Sequence, residues 1–294
     1  MKKFINIFLL TALFCANITF AQTKRALMIG ISDYGYVGQP DTWTNIHGAN
    51  DVNLLYPTLK NKGFVVTKIC DKAATAKRIR SEFKKLISSC KLGDFVYIHF
   101  SGHGQPYEDL DGDEEDGWDE SIIPYDAQIK YVKGKYEGKN HITDDELYKY
   151  YQNLRKSVGP KGFIFVVIDG CHAGSSYMGE EDNVDESTMR GTNKAFTINN
   201  KNYQPRLNTK SCFRISKKEG LANIILIQAC RSYQSNYEIK ENGQYYGPLS
   251  FYLNKVLTSS NSIFDINIIL KVKQMMNQDS RLVRQNMVYE TSIQ

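Results

Sequence analysis

One histidine and one cysteine of this chain stand in settings suited to thiol chemistry. His103 lies in Ser101-Gly102-His103-Gly104, and Cys171 lies in Asp169-Gly170-Cys171-His172-Ala173-Gly174. Each string directly follows a β-branched and aromatic run, Phe95–Phe100 in the first case and Phe163–Ile168 in the second. Such runs fit strands of a parallel sheet covered on both faces. Open α/β sheets bind ligands beyond the carboxyl ends of their strands, so both residues are expected at one sheet edge. Attack on a carbonyl by sulfur needs a thiolate, an acid–base group and donors for the oxyanion. Cys171 can be the nucleophile and His103 the acid–base, while Gly102 and Gly104 let the backbone approach a substrate closely. His172 is a poor candidate base, because neighbouring side chains on a chain usually point apart.

The elements that must position these residues alternate between strand and helix. Strands are expected over Arg25–Ile31, Phe64–Cys70, the two runs above and Asn223–Ala229. Helices are expected over Asn45–Lys62, Thr75–Lys91, Thr143–Ser157, Pro248–Thr258 and Asp265–Asn277. The alternation predicts an α/β fold, a mostly parallel sheet with helices on both faces. Ser175–Lys218 breaks the pattern: it is polar, aperiodic and rich in Asn, Lys, Ser and Thr, as functional or disordered loops of this length are. It divides residues 22–174, carrying His103 and Cys171, from a smaller part, 219–294, expected to complete the same sheet.

The N-terminus reads as an export signal over residues 1–21. Lys2 and Lys3 precede an apolar stretch that ends near Ala21, after which cleavage is expected. Asn6 and Asn17 interrupt that stretch, which argues against a membrane span. The formal charge of the whole chain is +5. It falls to about +3 without the leader, too mild and too scattered to suggest nucleic acid. Beyond the leader lie Cys70, Cys90, Cys171, Cys212 and Cys230. An odd number in an exported chain flags an unbridged thiol, and sequence does not pair the other four. The absence of C-x-x-C argues against a redox motif or a zinc ribbon.

With these residues in view, the chain resembles the metacaspase branch of the caspase-like cysteine peptidases over nearly all of Lys24–Ser292. The resemblance rests on Arg25-Ala26-Leu27-Met28-Ile29-Gly30-Ile31, Gly48-Ala49-Asn50-Asp51, Ser101-Gly102-His103-Gly104, Asp119-Glu120, Thr143-Asp144-Asp145-Glu146-Leu147, Asp169-Gly170-Cys171-His172 and Ala229-Cys230-Arg231, in that order. It implies the caspase–hemoglobinase fold with a six-stranded sheet, a His103/Cys171 dyad, an oxyanion hole at Gly104 and Cys171, and cleavage of peptides or proteins after Arg or Lys. Gln228-Ala229-Cys230-Arg231 looks like the nucleophile string of animal caspases, which makes Cys230 a rival to Cys171. Cys171 is preferred because its strand directly follows that of His103 in chain order. A caspase-like module that binds without catalysis is the alternative reading.

Carboxylates carry the remaining expectations. A buried substrate guanidinium needs a carboxylate partner. Asp169 lies two residues before Cys171, and Asp51 matches an acidic pocket residue of the resembling family. Glu108–Glu120 holds nine carboxylates in thirteen residues, a crowd that repels itself without a cation. Asp109, Asp111, Asp113 and Glu120 fall at EF-hand spacings, but Glu114 replaces the required glycine, so the match is taken as coincidence. The resemblance points instead to calcium at Asp119, Asp144 and Asp145. Met178 stands where a fourth acid would be, with Glu180, Glu181 or Asp182 as substitutes. No cofactor is needed for the chemistry itself. Finally, the polar segment offers basic residues that an acidic pocket could bind, and Arg190-Gly191 is the expected site of self-cleavage.

Overall fold

The structure, a computed structural model, describes residues 22–35, 41–171, 189–192, 194–203, 215–263 and 265–293. In chain order the strands are β1 (Lys24–Gly30), β2 (Phe64–Cys70), β3 (Phe95–Ser101), β4 (Gly104–Glu108), β5 (Trp118–Ile122), β6 (Ile142–Thr143), β7 (Phe163–Asp169), β8 (Asn223–Gln228), β9 (Ile239–Glu241), β10 (Gln244–Tyr246) and β11 (Val288–Thr291). The helices are α1 (Gly48–Asn61), α2 (Ala76–Ser89), α3 (Asp144–Val158), α4 (Pro248–Ser259) and α5 (Ile266–Gln278). Six strands form the central sheet in the order β11-β8-β7-β3-β1-β2. All its pairings are parallel except β11 against β8.

The apolar runs work because each strand feeds two cores. Along β7, Ile164, Val166 and Ile168 pack on one face with Phe83 of α2 and Leu154 of α3. Phe163, Phe165 and Val167 pack on the other face with Leu55 of α1, Leu253 of α4 and Val272 of α5. Burial on both faces removes any need for polar alternation, as in other parallel sheets. Several helices start where capping chemistry allows. Thr75 accepts from the Arg78 amide and Thr143 from the Glu146 amide, and acidic Asp144 and Asp145 follow in the first turn of α3. Pro248 opens α4 in the position where its missing N–H costs nothing.

The order β2-β1-β3 places the crossovers from β1 and β3 on opposite sides, which opens a crevice at the carboxyl edge. The register puts Gly30 opposite Ser101 and Ser101 opposite Asp169, so the loops bearing His103 and Cys171 leave the sheet at one level. The acidic loop differs from expectation. It is the tip of a small antiparallel sheet, β4-β5-β6, in which Gly104 pairs with Ile122 and Ser121 with Thr143. Residues 44–47 are also not helical. They run across the crevice before α1 begins at Gly48, with the Ile46 amide donating to the Ser32 carbonyl at 3.0 Å.

Gly48 sets how closely α1 approaches that edge. A Cβ there would collide with the Ser101 carbonyl oxygen and lie 2.7 Å from the Ile31 carbonyl oxygen. Gly48→Ala should therefore destabilise the fold by about 1–3 kcal/mol, the usual cost of overpacking. Urea unfolding checks this, and an unchanged midpoint would show that α1 does not sit so close to β3.

Candidate active site

His103 is held from three sides. Its ring lies 4.9 Å from both the Tyr34 and Trp43 rings, centroid to centroid, and its backbone N–H donates to the Tyr34 hydroxyl at 2.9 Å. Nε2 lies 2.8 Å from the Thr44 carbonyl oxygen. A carbonyl only accepts, so Nε2 carries the proton and Nδ1 holds the lone pair. Nδ1 is buried and, among the described residues, without a hydrogen-bond partner. Burial lowers the imidazole to about 4, opposed by the Thr44 carbonyl, which keeps it neutral and basic in form.

Cys171 is fully buried. Its Sγ–H donates to the Gln234 carbonyl at 2.9 Å and not to Nδ1 of His103. The two expected catalytic side chains thus share the crevice edge without a hydrogen bond between Cys171 Sγ and His103 Nδ1 in this state. The main-chain donors, by contrast, converge. The Cys171 N–H at 2.8 Å and the Gly104 N–H at 3.2 Å both donate to one oxygen, the carbonyl of Arg190. The Arg190 N–H donates to the Asn236 carbonyl at 2.9 Å, and Met189 bridges antiparallel to Tyr237. Gly191 follows directly. A Cβ there would lie 2.5 Å from the Cys171 carbonyl oxygen and 3.0 Å from its Cβ, so only glycine fits in this pose.

The Arg190 side chain fills an acidic pocket and is fully buried. Nη1 donates to Asp51 Oδ2 at 2.6 Å and to Ser101 Oγ at 2.5 Å. Nε and Nη2 donate to Glu238 Oε1 at 3.2 and 2.9 Å. Asp169 stands farther off, its Oδ1 3.7 Å from Nη1, because both its oxygens are engaged elsewhere. Oδ1 accepts from Asn236 at 2.8 Å, and Oδ2 accepts from the Ser250 amide and hydroxyl at 2.7 Å each. Asp169 is therefore a brace that also contributes charge. Burial disfavours the guanidinium charge, but Asp51, Glu238 and Asp169 outweigh it and hold Arg190 firmly protonated. Burial pushes Asp51 up to about 7; Arg190 opposes the shift and Asp169 adds to it.

Glu238 is the pocket residue that sequence reading missed. It lies in an aperiodic stretch, and its second oxygen is tied to His47 Nδ1 at 2.6 Å. Thr44 was missed because a backbone carbonyl leaves no mark in a side-chain pattern. His172, the acids at 180–182, and most of Ser175–Lys218 lie outside the described residues, as do the N-terminal leader and Cys212.

In the acidic hairpin, oxygens of Asp109, Asp113 and Asp119 all lie within 4.8 Å of one another, although the first two were set aside with the EF-hand spacing. Burial and the charges of Asp109, Asp145, Asp111 and Asp113 push Asp119 up to about 7. Asp144 is pushed up by burial, Glu120 and Asp119, and its buried Oδ1 has no hydrogen-bond partner among the described residues. Asp145 lines the same cavity as Asp119 but pairs with Lys149 at 3.4 Å. A hard cation, which takes six to eight oxygens, fits this donor set.

The seating of Arg190 can be tested by a double-mutant cycle in a Cys171→Ala background. Glu238→Ala alone should cost about 1–3 kcal/mol of stability, because it leaves Nε and Nη2 of a buried guanidinium unsatisfied while Asp51 still pairs with Nη1. Arg190→Ala should cost less in the Glu238→Ala background than on its own. If the two changes add to within about 0.5 kcal/mol, the residues do not interact.

Comparison with known proteins places these features in context. The family described as "Peptidase_C14: Caspase domain" matches residues 23–292. Metacaspase-1B of Aspergillus clavatus is 32% identical over 169 residues, covering 52% of this chain and 36% of that protein. Metacaspase-7 of Arabidopsis thaliana is 31% identical over 182 residues, covering 58% of this chain and 40% of that protein. The chain thus spans well under half the length of these curated relatives. Among solved structures, a Geobacter sulfurreducens protein superimposes with a TM-score of 0.61 at 21% identity, covering 92% of this chain and 93% of that one. Caspase-1 from Spodoptera frugiperda does so at 0.53 and 12%, covering 93% and 90%. These two likenesses show the fold.

Proposed function

The chain belongs to the caspase-domain peptidase family, and we propose that it is a cysteine endopeptidase that cleaves after arginine and first cuts itself at Arg190–Gly191. One observation carries this reading: Arg190 is bound as a substrate residue would be, its guanidinium in the acidic pocket and its carbonyl on two main-chain N–H groups beside Cys171. Donors aimed at the scissile oxygen are what an acyl-transfer transition state requires.

In the proposed reaction the Cys171 thiol leaves the Gln234 carbonyl and gives its proton to Nδ1 of His103. The thiolate attacks the Arg190 carbonyl carbon, and the oxyanion is held by the Cys171 and Gly104 N–H groups. His103 returns the proton to the Gly191 nitrogen as the C–N bond breaks, leaving a thioester that water hydrolyses. Thr44 fixes the tautomer that this sequence needs. The Nε–H and Nη2–H pair on Glu238 reads a planar guanidinium, a fit that lysine reproduces only in part. Asp51, buried with no cation but Arg190 beside it among the described residues, disfavours a substrate aspartate. The basic-then-apolar leader supports export across a membrane. Among the described residues no helix is long and apolar enough to span one.

Purified wild type should separate into two chains on a denaturing gel yet run as one species by size exclusion, since β8 pairs with β7 across the cut. Cys171→Ala should stay intact, and N-terminal sequencing should place the new end at Gly191. Arginine-ended fluorogenic peptides should be cut and aspartate-ended ones spared. A single uncut, active chain would refute self-processing, and no activity on arginine peptides would favour the binding-module reading.

The fit of the acidic hairpin supports a calcium site in which Asp119, Asp109 and Asp113 provide ligands and Asp144 and Asp145 add charge. Calcium binding only the folded chain at about 100 times its dissociation constant would add about 2.7 kcal/mol. Melting of Cys171→Ala in millimolar calcium and in chelator measures this, with Asp119→Asn as the control that should lose the shift. Equal melting in both would exclude the site.

A further inference from the structure

Cys230 has no place in the reaction above, yet it stands against the nucleophile. Cys171 follows β7 and Cys230 follows β8, adjacent parallel strands with Ile168 opposite Gln228. The two sulfurs share one acceptor: Cys171 Sγ lies 2.9 Å and Cys230 Sγ 3.3 Å from the Gln234 carbonyl oxygen. The neighbouring Cys171 thiol and burial together push the Cys230 thiol well up. No disulfide joins them in this state. Both are buried, and the Arg190–Gly191 segment covers Cys171, with position 191 packed on its backbone and Cβ.

We infer that Cys171 and Cys230 form a reversible disulfide once the Arg190 segment has left the crevice, so that Cys230 is the resolving thiol of the nucleophile. This rests on Cys171 being the nucleophile of the proposed peptidase. A hydroperoxide is the oxidant. The Cys171 thiolate attacks its terminal oxygen, the O–O bond breaks, and a sulfenic acid forms as the hydroperoxide is reduced to water or an alcohol. The Cys230 sulfur then attacks the Cys171 sulfur, the S–O bond breaks, and hydroxide leaves with the Cys230 proton as water. Two thiols are oxidised by two electrons and one hydroperoxide is reduced, so the step balances. Without Cys230 the sulfenic acid has no other thiol at hand among the described residues and proceeds to sulfinic and sulfonic acids, which thiol reductants do not reverse. Gln234 holds both sulfurs at one point, which makes the second attack local. Cys70 and Cys90 stand at the ends of β2 and α2 and share no such acceptor.

The test uses the processed wild type and Cys230→Ser, each first assayed on an arginine peptide, then exposed to hydrogen peroxide and finally to dithiothreitol. The wild type should lose most of its activity and regain it on reduction. A non-reducing digest should show peptides containing Cys171 and Cys230 joined, at a mass lower by the two hydrogens lost. Cys230→Ser should keep its basal activity, lose it to peroxide, stay inactive after reduction and carry sulfinic or sulfonic acid at Cys171. Absence of the joined peptide from the wild type overturns the inference, as does full recovery of Cys230→Ser. If the untreated protein cuts no arginine peptide but the joined peptide still forms, the peptidase reading fails and the disulfide stands. The mass measurement on wild type decides the matter even if Cys230→Ser does not fold.

Discussion

A guanidinium taken wholly out of water is expensive to hold, and the three carboxylates around Arg190 are the condition under which this chain holds one. They come from distant parts of the sequence. Asp51 rides on α1, Asp169 ends β7, and Glu238 stands in the loop after β8. Each is fixed by something else as well: Asp51 by the Gly247 amide, Asp169 by Asn236 and Ser250, Glu238 by His47. The pocket is therefore a knot between the first helix, the central sheet and the start of α4. Burial is the main reason Asp51 is pushed up, and repulsion from Asp169 adds to it. A cation relieves that repulsion, and in this state the cation belongs to the chain itself.

The chemistry next to the pocket is set by what water cannot reach. Tyr34 and Trp43 wall the His103 ring, and burial depresses its basicity far below that of a solvated imidazole. The Thr44 carbonyl partly opposes that shift and decides which nitrogen is left to accept a proton. Positioning and electrostatics therefore come from the segment 44–47 and from β3 together. That is why the crossing of residues 44–47 over the crevice, before α1 begins, matters more to the site than the helix that follows.

Much of this was legible in the sequence, for a physical reason. β3, β7 and β8 are buried on both faces, so their apolar runs stand out, and the residues that end them reach one edge by the geometry of parallel sheets. Asp51 and Asp169 were found because short strings around them are distinctive; Ser101 lay unremarked inside such a string. Glu238 and Thr44 were not found, the first because residues 229–238 have no period and the second because it acts through its backbone. The sheet β4-β5-β6 hid inside the acidic loop. Gly104 and Pro106 weaken the pattern of its first strand, and Asp119 and Glu120 sit in its second. β11 is short, only partly buried and antiparallel, with no alternation to mark it.

The covalent link between Arg190 and the pocket it fills has a kinetic consequence. A ligand on the same chain competes at an effective concentration, on the order of millimolar for a short flexible tether. On the proposed reading, any arginine peptide arriving from solution competes with that local excess, so the uncut chain would behave as a competitively inhibited protein whose inhibitor cannot be diluted or dialysed away. The cut proposed after Arg190 frees that residue from Gly191 but leaves it joined to Cys171 through residues 172–189, so its departure from the pocket is a unimolecular step, indifferent to how many copies of the protein are present.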